Sequence, residues 1–221
     1  MKPNTRALAI LPPAVVAEPE PEAGDRVPGL PTSISFDQAR AIVNAARSID
    51  HRLLLKCLWQ TGGRISEVLG LRPCDVDAAD GSIRLANEKQ RRRDRRRKLV
   101  YVSRDLVAEL EAFARGARIR STEFYFRSQK SHDRPMGRAH AWRVVTDCSR
   151  RAGVLVPGQR GELVPASPLN FRHGSAVHQL REGVPLSEVQ RQLGHTAITS
   201  TLVYLRLTNP ERRAIADRVT W

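Results

Sequence analysis

Apolar residues recur at helical spacing through most of the chain after Ser33. Ser35 and Gln38 form a capping-box pattern ahead of an apolar stripe, which predicts a first helix whose inner face carries Ala39, Ile42, Val43 and Ala46. Similar stripes, bounded by glycines, prolines and capping residues, predict further helices over about 50–60, 64–69, 105–115, 138–152, 168–182, 186–193 and 198–205. A last helix is predicted to begin at Pro210, with Asn209 as its cap.

Two short segments alternate between apolar and polar residues in the manner of half-buried strands. They are Ser82–Ala86 and Leu99–Val102, and the strongly basic stretch Lys89–Lys98 separates them. No other part of the chain gives a convincing strand signal. The predicted fold class is therefore mainly α with a small antiparallel β-sheet.

Residues 1–31 differ from the rest of the chain in composition. They hold seven of the 14 prolines and the run Glu18-Pro19-Glu20-Pro21-Glu22, a composition that leaves little to bury. This predicts a flexible tail over 1–31 and a folded domain over 32–221.

The net charge of the chain indicates what kind of partner it binds. The 37 Lys and Arg residues outnumber 23 acidic ones, for a net charge of +14, and such a balance favours a polyanionic partner such as nucleic acid. A generally basic, soluble protein is the alternative.

The chain has neither a long apolar run nor a secretory pattern, which predicts a cytoplasmic protein that does not enter a membrane. Three widely spaced cysteines, Cys57, Cys74 and Cys148, are interpreted as buried small apolar side chains rather than a disulfide or zinc set.

Four short segments carry candidate chemistry. They are TGGRISEVLGL at 61–71, the basic hairpin around Lys89, SPLNFRH at 167–173, and LGHTAITSTLVY at 193–204. Taken singly, their residues have ordinary interpretations. Arg64 could form a surface ion pair with Glu67, His195 could cap a helix, and Tyr204 could be plain core packing.

Together and in this order, the four segments resemble the tyrosine recombinase family of phage integrases, Xer and Cre proteins. The family carries an arginine in a TGxRxxE segment, a lysine in the following hairpin, an HxxRH box, an LGH box, and a tyrosine nine residues beyond that histidine. Arg64, Arg172, His195 and Tyr204 match these positions in order and spacing. The resemblance covers about 32–221 and implies the fold of the catalytic domain of these DNA breaking-rejoining enzymes.

The resemblance implies that Tyr204 attacks a DNA phosphodiester and forms a 3′-phosphotyrosine. Two guanidiniums, Arg64 and Arg172, would stabilise the charge on the five-coordinate phosphorus, because each can bind two oxygens in one plane. His195 would hydrogen-bond a non-bridging oxygen or help to move protons. The bond energy is kept in the phosphotyrosine, so neither a metal nor another cofactor is implied.

The hairpin supplies the remaining candidates. Lys89, just after the first strand, is favoured as the proton donor to the leaving 5′-oxygen, with Lys98 as the alternative. The rest of the basic stretch is expected to contact DNA phosphates, through Arg91, Arg92, Arg93, Arg95, Arg96, Arg97 and Lys98. His173 is a possible supporting residue.

The chain departs from the family pattern in two respects. Leu169 stands where the HxxR box has its histidine, and His173 or His178 could substitute for it. A proline-rich tail stands where most members have a core-binding domain. The predicted function is thus that of a site-specific recombinase, integrase or resolvase of the kind that mobile elements encode, which binds double-stranded DNA as a dimer per site and a tetramer in synapsis. The alternatives are a weakened or inactive recombinase fold that regulates by binding DNA, and an RNA-binding accessory protein.

Overall fold

A computed structural model describes residues 32–86, 97–158, 160–194 and 199–205. The tail 1–31, most of the basic loop and the segment 206–221 lie outside these ranges, so the helix predicted at Pro210 is not described. In the part of the chain that is described, no helix is long and apolar enough to cross a membrane.

The described chain is mainly helical. Three helices come first: α1 (Phe36–Asn44), α2 (Ile49–Thr61) and α3 (Ile65–Leu69). After the first sheet follow α4 (Arg104–Gly116) and α5 (Arg138–Arg151), and then α6 (Pro168–Arg181), α7 (Leu186–Leu193) and α8 (Thr199–Leu205). Helices α2–α8 each begin and end within one residue of their sequence-based predictions, whereas α1 ends at Asn44, so that Ala46 of its predicted stripe is buried just after the helix. The mainly helical class is confirmed.

Local chemistry explains where these helices begin and end. The predicted capping box of α1 is present, since Ser35 Oγ accepts from the amide of Gln38 at 3.2 Å and the Gln38 side chain accepts from the amide of Ser35 at 2.9 Å. Ser103 caps α4 through a single bond, in which its Oγ accepts from the amide of Leu106 at 3.2 Å. Helix α2 ends at Gly62, whose φ of 56° lies in the left-handed region that glycine adopts at little cost.

The predicted hairpin forms two strands of a three-stranded antiparallel sheet. Its strands are β1 (Val76–Asp77), β2 (Ser82–Ala86) and β3 (Arg97–Tyr101), in that spatial order. The register pairs Ile83 with Val100 and Leu85 with Lys98, so these four side chains share the inward face. Strand β3 therefore begins two residues before the prediction, and Lys98 belongs to its inward face rather than to the loop.

Two other expectations were wrong. A second hairpin exists, formed by β4 (Leu155–Pro157) and β5 (Leu163–Pro165). Its three-residue strands each end in a proline, and are too short to show alternation. Cys57 and Cys148 are buried as predicted, but Cys74 is exposed, because it lies in a short 3-10 turn at the surface.

The core has two parts. The larger one joins α1–α6 and both sheets, and contains most of the buried leucines of α2. The smaller one packs α6, α7 and α8 together through Ala176, Val177, Val189, Leu193 and Tyr204. The candidate site residues lie at the boundary between these two parts of the core.

Close packing between α6 and the chain entering α1 generates a test. A Cβ added at Gly174 would lie 2.3 Å from the carbonyl oxygen of Ile34 and 2.9 Å from Cζ3 of Trp59. Gly174→Ala should therefore lower the free energy of unfolding by roughly 1–3 kcal/mol in urea denaturation. Gly116→Ala is the control, since nothing lies within 4 Å of the added carbon at that helix end. Equal stability of the two variants would contradict this packing.

Candidate active site

Arg172 lies at the centre of the site and connects two helix ends. Its guanidinium donates from Nη1 to the carbonyl oxygen of Gly62 and from Nη2 to that of Leu193, each at 2.7 Å. Gly62 follows α2 and Leu193 closes α7, so a buried cation satisfies carbonyls at the negative ends of two helices. The residue is 5% exposed, so Arg172 lies in the interior rather than on the solvent-facing side of α6.

The turn before Arg64 is held rigid by its own side chains. Thr61 Oγ1 donates to the carbonyl of Cys57 at 2.6 Å and accepts from the amide of Gly63 at 3.0 Å. A Cβ on Gly63 would lie 3.0 Å from atoms of Leu85 and Val68, which explains the second glycine of this turn. Arg64 then occupies the N-cap position of α3. The Arg172 bond to Gly62 thus fixes the loop from which Arg64 projects.

Glu67 is the anion of the cluster. Its Oε1 accepts from Nη1 of Arg64 at 2.9 Å, and its Oε2 accepts from the backbone amide of Arg64 at 2.9 Å. The pair expected between these two residues is present, but it isn't a surface pair, since the Glu67 carboxylate is fully buried. Burial alone would raise the pKa of Glu67, but Lys98 and Arg64 outweigh it and hold that pKa below its usual value.

Lys98 is the hairpin cation that the structure brings into this cluster. Its Nζ lies 2.7 Å from Oε2 of Glu67, and its side chain is 8% exposed. Burial lowers the pKa of Lys98, the Glu67 charge raises it, and the nearby Arg172 and Arg64 charges lower it further, so that the net shift is downward. A direct DNA contact by Lys98 stays a prediction, and it would require Nζ to leave Glu67. Sequence reasoning missed this ion pair, although the inward register of Lys98 beside Val100 could have indicated it.

Tyr204 reaches the same cluster from α8. Its ring is 2% exposed and packs in the smaller core, while its hydroxyl lies 2.8 Å from Nδ1 of His173. Burial raises the pKa of Tyr204, and the positive charge of Arg172 partly offsets the rise. The ring of Tyr204 therefore contributes to core packing, while its hydroxyl is positioned beside His173.

The other predicted site residues divide into three groups. Arg97 is half exposed and pairs with Asp75 at the start of β3. Leu169 is 58% exposed at the first turn of α6, and His178, farther along that helix, stacks on Phe36 with ring centroids 5.0 Å apart. The remaining candidates lie outside the described residues, namely His195, Lys89, Arg91, Arg92, Arg93, Arg95 and Arg96. Their roles stay predictions.

The cluster is suited to an anion rather than a metal. Arg64, Lys98 and Arg172 carry three positive charges against the single carboxylate of Glu67, and their charges act on one another's pKa. No group of three His, Cys, Asp or Glu side chains in the described ranges is arranged to hold a metal ion. A phosphate has the charge and the acceptor oxygens that such a site can bind.

The buried Glu67–Lys98 pair generates a test of stability. Glu67→Gln should cost about 3–5 kcal/mol of unfolding free energy, because Lys98 would stay buried without its partner. The double change Glu67→Gln/Lys98→Met should cost clearly less than the sum of the two single changes, as urea denaturation of all three variants will show. Asp147→Asn, which breaks the exposed pair with Arg150, is the control and should change stability far less. Additive costs would contradict the coupling.

Curated tyrosine recombinases are similar to this chain in sequence. The chain is 30% identical over 194 residues to the tyrosine recombinase XerD of Mycobacterium tuberculosis, an alignment that covers 81% of this chain and 58% of XerD. It is 24% identical over 203 residues to the tyrosine recombinase XerA of Pyrococcus horikoshii, covering 91% and 66% of the two chains. The chain therefore spans about three fifths of the length of these curated relatives.

Solved structures share the fold. A crystal structure of XerA recombinase superposes with a TM-score of 0.68 at 22% identity, covering 87% of this chain and 66% of the other. The XerH site-specific recombinase, bound to its palindromic difH substrate after cleavage, superposes with a TM-score of 0.67 at 18% identity, covering 85% and 53%.

The family assignment rests on the sequence match together with this fold. The model of the phage integrase family matches residues 32–211, which is most of the chain. The mainly helical architecture with a small antiparallel sheet is that of tyrosine recombinase catalytic domains. The chain belongs to the phage integrase family.

Proposed function

We propose that this chain is a site-specific DNA recombinase that cuts and rejoins DNA through a 3′-phosphotyrosine on Tyr204. The observation that carries the proposal is one cluster of charge around Arg172. It joins Arg64, Lys98 and the hydroxyl of Tyr204, which come from α3, β3 and α8. Relatives named as tyrosine recombinases, and a structural relative solved on its DNA substrate, support the same activity.

The proposed chemistry follows from the charges. A scissile phosphate would lie against Arg64 and Arg172, whose guanidiniums stabilise the extra negative charge as the phosphorus becomes five-coordinate. The phenol oxygen of Tyr204 attacks the phosphorus, and the 5′-oxygen leaves with a proton. Lys89 is the proposed donor of that proton and His195 a proposed contact to a non-bridging oxygen. Attack by a different 5′-hydroxyl on the phosphotyrosine then joins new strands.

The buried ring of Tyr204 has a consequence for this chemistry. With 2% of the residue exposed, the phenol oxygen reaches a phosphate only if α8 shifts on the α6–α7 surface when DNA binds. Helix α8 has seven residues and packs mainly through the smaller core. A local shift of this helix would therefore leave the larger core undisturbed.

We also propose that the protein acts as an assembly on double-stranded DNA in the cytoplasm. A dimer on each site and a tetramer in synapsis would bring four strands together for exchange. The basic stretch 91–97 and Lys98 would contribute phosphate contacts, since Arg and Lys side chains neutralise backbone charge without reading sequence.

Adduct trapping tests the nucleophile. A nicked suicide duplex made from DNA flanking the gene should accumulate a covalent protein–DNA adduct, visible as a band of lower mobility in a denaturing gel. Tyr204→Phe should abolish the adduct, because phenylalanine lacks the hydroxyl that is proposed to attack the phosphorus. Tyr101→Phe is the matched control, because this tyrosine is 54% exposed on β3, and it should form adduct at the wild-type rate. Adduct that persists in Tyr204→Phe would rule out this nucleophile.

Salt dependence tests the phosphate contacts. The log of DNA affinity should fall steeply with the log of salt concentration, because each neutralised phosphate releases counterions. Changing Arg91, Arg92, Arg93, Arg95 and Arg96 together to Gln should reduce the slope by up to about 4.5, or roughly 0.9 per lost contact. Fluorescence anisotropy with a labelled duplex measures both slopes. A flat plot for the wild type, or an unchanged slope in the variant, would contradict the proposed contacts.

A second candidate is a DNA-binding regulator built on the same fold, which does not cleave. Two observations favour it: the buried ring of Tyr204, and Leu169 at the position where the family pattern has histidine. It predicts specific binding with no adduct on any nicked duplex, so the adduct assay separates the two functions.

A further inference from the structure

The hydroxyl of Tyr204 has a specific neighbour on α6. Nδ1 of His173 lies 2.8 Å from the phenol oxygen, and the two rings are tilted by 49° with centroids 5.6 Å apart. The two residues come from helices that pack directly on each other. Tyr204 is buried and His173 is half-buried, so this contact is part of a packed interface rather than a chance surface encounter.

Protonation favours one direction for this hydrogen bond. Burial lowers the pKa of His173 to about 4, with the adjacent Arg172 charge adding to the effect, so the imidazole is neutral near pH 7. Burial raises the pKa of Tyr204, so the phenol keeps its proton at that pH. When the imidazole carries its proton on Nε2, its Nδ1 lone pair accepts from the phenol.

Two other side chains of α6 that the family pattern brings into question are less well placed to accept that proton. Leu169, one turn before His173 on α6, is aliphatic and can't accept a proton. His178 stacks on Phe36 and lies 5.7 Å from the ring centroid of Trp59, so it belongs to a different surface of α6. Among the described residues, His173 is the imidazole that contacts the phenol oxygen.

We propose that His173 is the general base that takes the proton of Tyr204 as the phenol oxygen attacks phosphorus. The inference rests on the proposed function. The Oη–H bond breaks and its proton moves to Nδ1, the Oη–P bond forms, and the P–O5′ bond breaks. The leaving 5′-oxygen receives its proton from the separate acid proposed above, Lys89. In rejoining, an incoming 5′-hydroxyl attacks, and the departing phenolate recovers its proton from the His173 imidazolium.

The neighbouring charges couple this base to the substrate. Arg172 precedes His173 in the chain, and its positive charge disfavours the imidazolium. A phosphodiester bound between Arg64 and Arg172 brings a negative charge that offsets this effect. His173 is therefore a weak base in the empty site and a stronger one when a phosphate occupies it. The coupling would restrict formation of the reactive phenolate to the DNA complex.

A pair of substitutions separates proton transfer from positioning. His173→Asn places an amide oxygen near the position of Nδ1, so it can still accept a hydrogen bond from the phenol but can't take its proton. His173→Ala removes both capacities. The rate of adduct formation on the nicked suicide duplex should fall roughly 100- to 10,000-fold in both variants at pH 7. His178→Asn is the control on the same helix and should keep the wild-type rate.

The pH profile gives a readout that a structural role would not change. Without a protein base, attack depends on phenolate formed by solvent hydroxide, so the rates of both variants should rise about tenfold per pH unit from 7 to 9. The wild-type rate should change much less over that range. A duplex with sulfur in place of the bridging 5′-oxygen needs no proton on its leaving group, and should not rescue either variant.

The outcomes distinguish this inference from the proposed function. If His173→Asn forms adduct at a rate similar to that of the wild type, His173 is not the general base. This holds even if His173→Ala is slow, because that variant also loses the hydrogen bond to the phenol. Rescue of His173→Asn by the sulfur substrate would overturn it as well, since His173 would then act on the leaving group. Failure of the wild type to form any adduct would instead overturn the proposed function. Melting temperatures of the variants identify any loss of fold. If a variant does not fold, the pH profile of the wild type still tests the proposal. A tenfold rise in the wild-type rate of adduct formation per pH unit would contradict a protein base.

Discussion

Arg172 forms the contacts on which the rest of the site depends. Its guanidinium donates to the carbonyl oxygens of Gly62 and Leu193, which belong to the ends of two helices more than 100 residues apart in the chain. One of these ends leads into Arg64 and the other into the LGH segment. A buried arginine is costly to desolvate, and the partial negative charges of two helix C-termini offset that cost. The geometry of the candidate site and the packing of α2, α6 and α7 thus have a common origin.

The charged side chains of this cluster do not balance one another, because cations outnumber carboxylates. Arg64 and Lys98 both pair with the carboxylate of Glu67, and Arg172 adds a third positive charge nearby, so the cluster keeps an excess of positive charge that an anion would balance. Burial and the neighbouring positive charges lower the pKa of Lys98 and of Arg172. Functional sites commonly hold such perturbed groups, and here the missing charge is of the kind that a phosphodiester supplies. Stability and the proposed phosphate binding therefore make opposite demands on the same four side chains.

Much of this could be predicted from the sequence, and the omissions have physical reasons. Helix periodicity, the Ser35–Gln38 cap and the order of the four segments indicated the fold, since each is a local signal that tertiary contacts reinforce. The β4–β5 hairpin is too short for its alternation to be recognised. The inward turn of Lys98 depends on strand register, which pairs it with Leu85, and the His173–Tyr204 contact depends on how α8 packs on α6. Neither is encoded within one segment, so the sequence alone could not distinguish His173 from His178.

A structure of the protein on a nicked duplex, with vanadate in place of the scissile phosphate, would test the central claim most directly. The account predicts both guanidiniums, of Arg64 and Arg172, within about 3 Å of the vanadate oxygens, with the phenol oxygen of Tyr204 in line with the leaving 5′-oxygen. It would be contradicted if Arg172 stayed on the two helix ends without touching the vanadate, or if the phenol remained in the smaller core while DNA occupied the site.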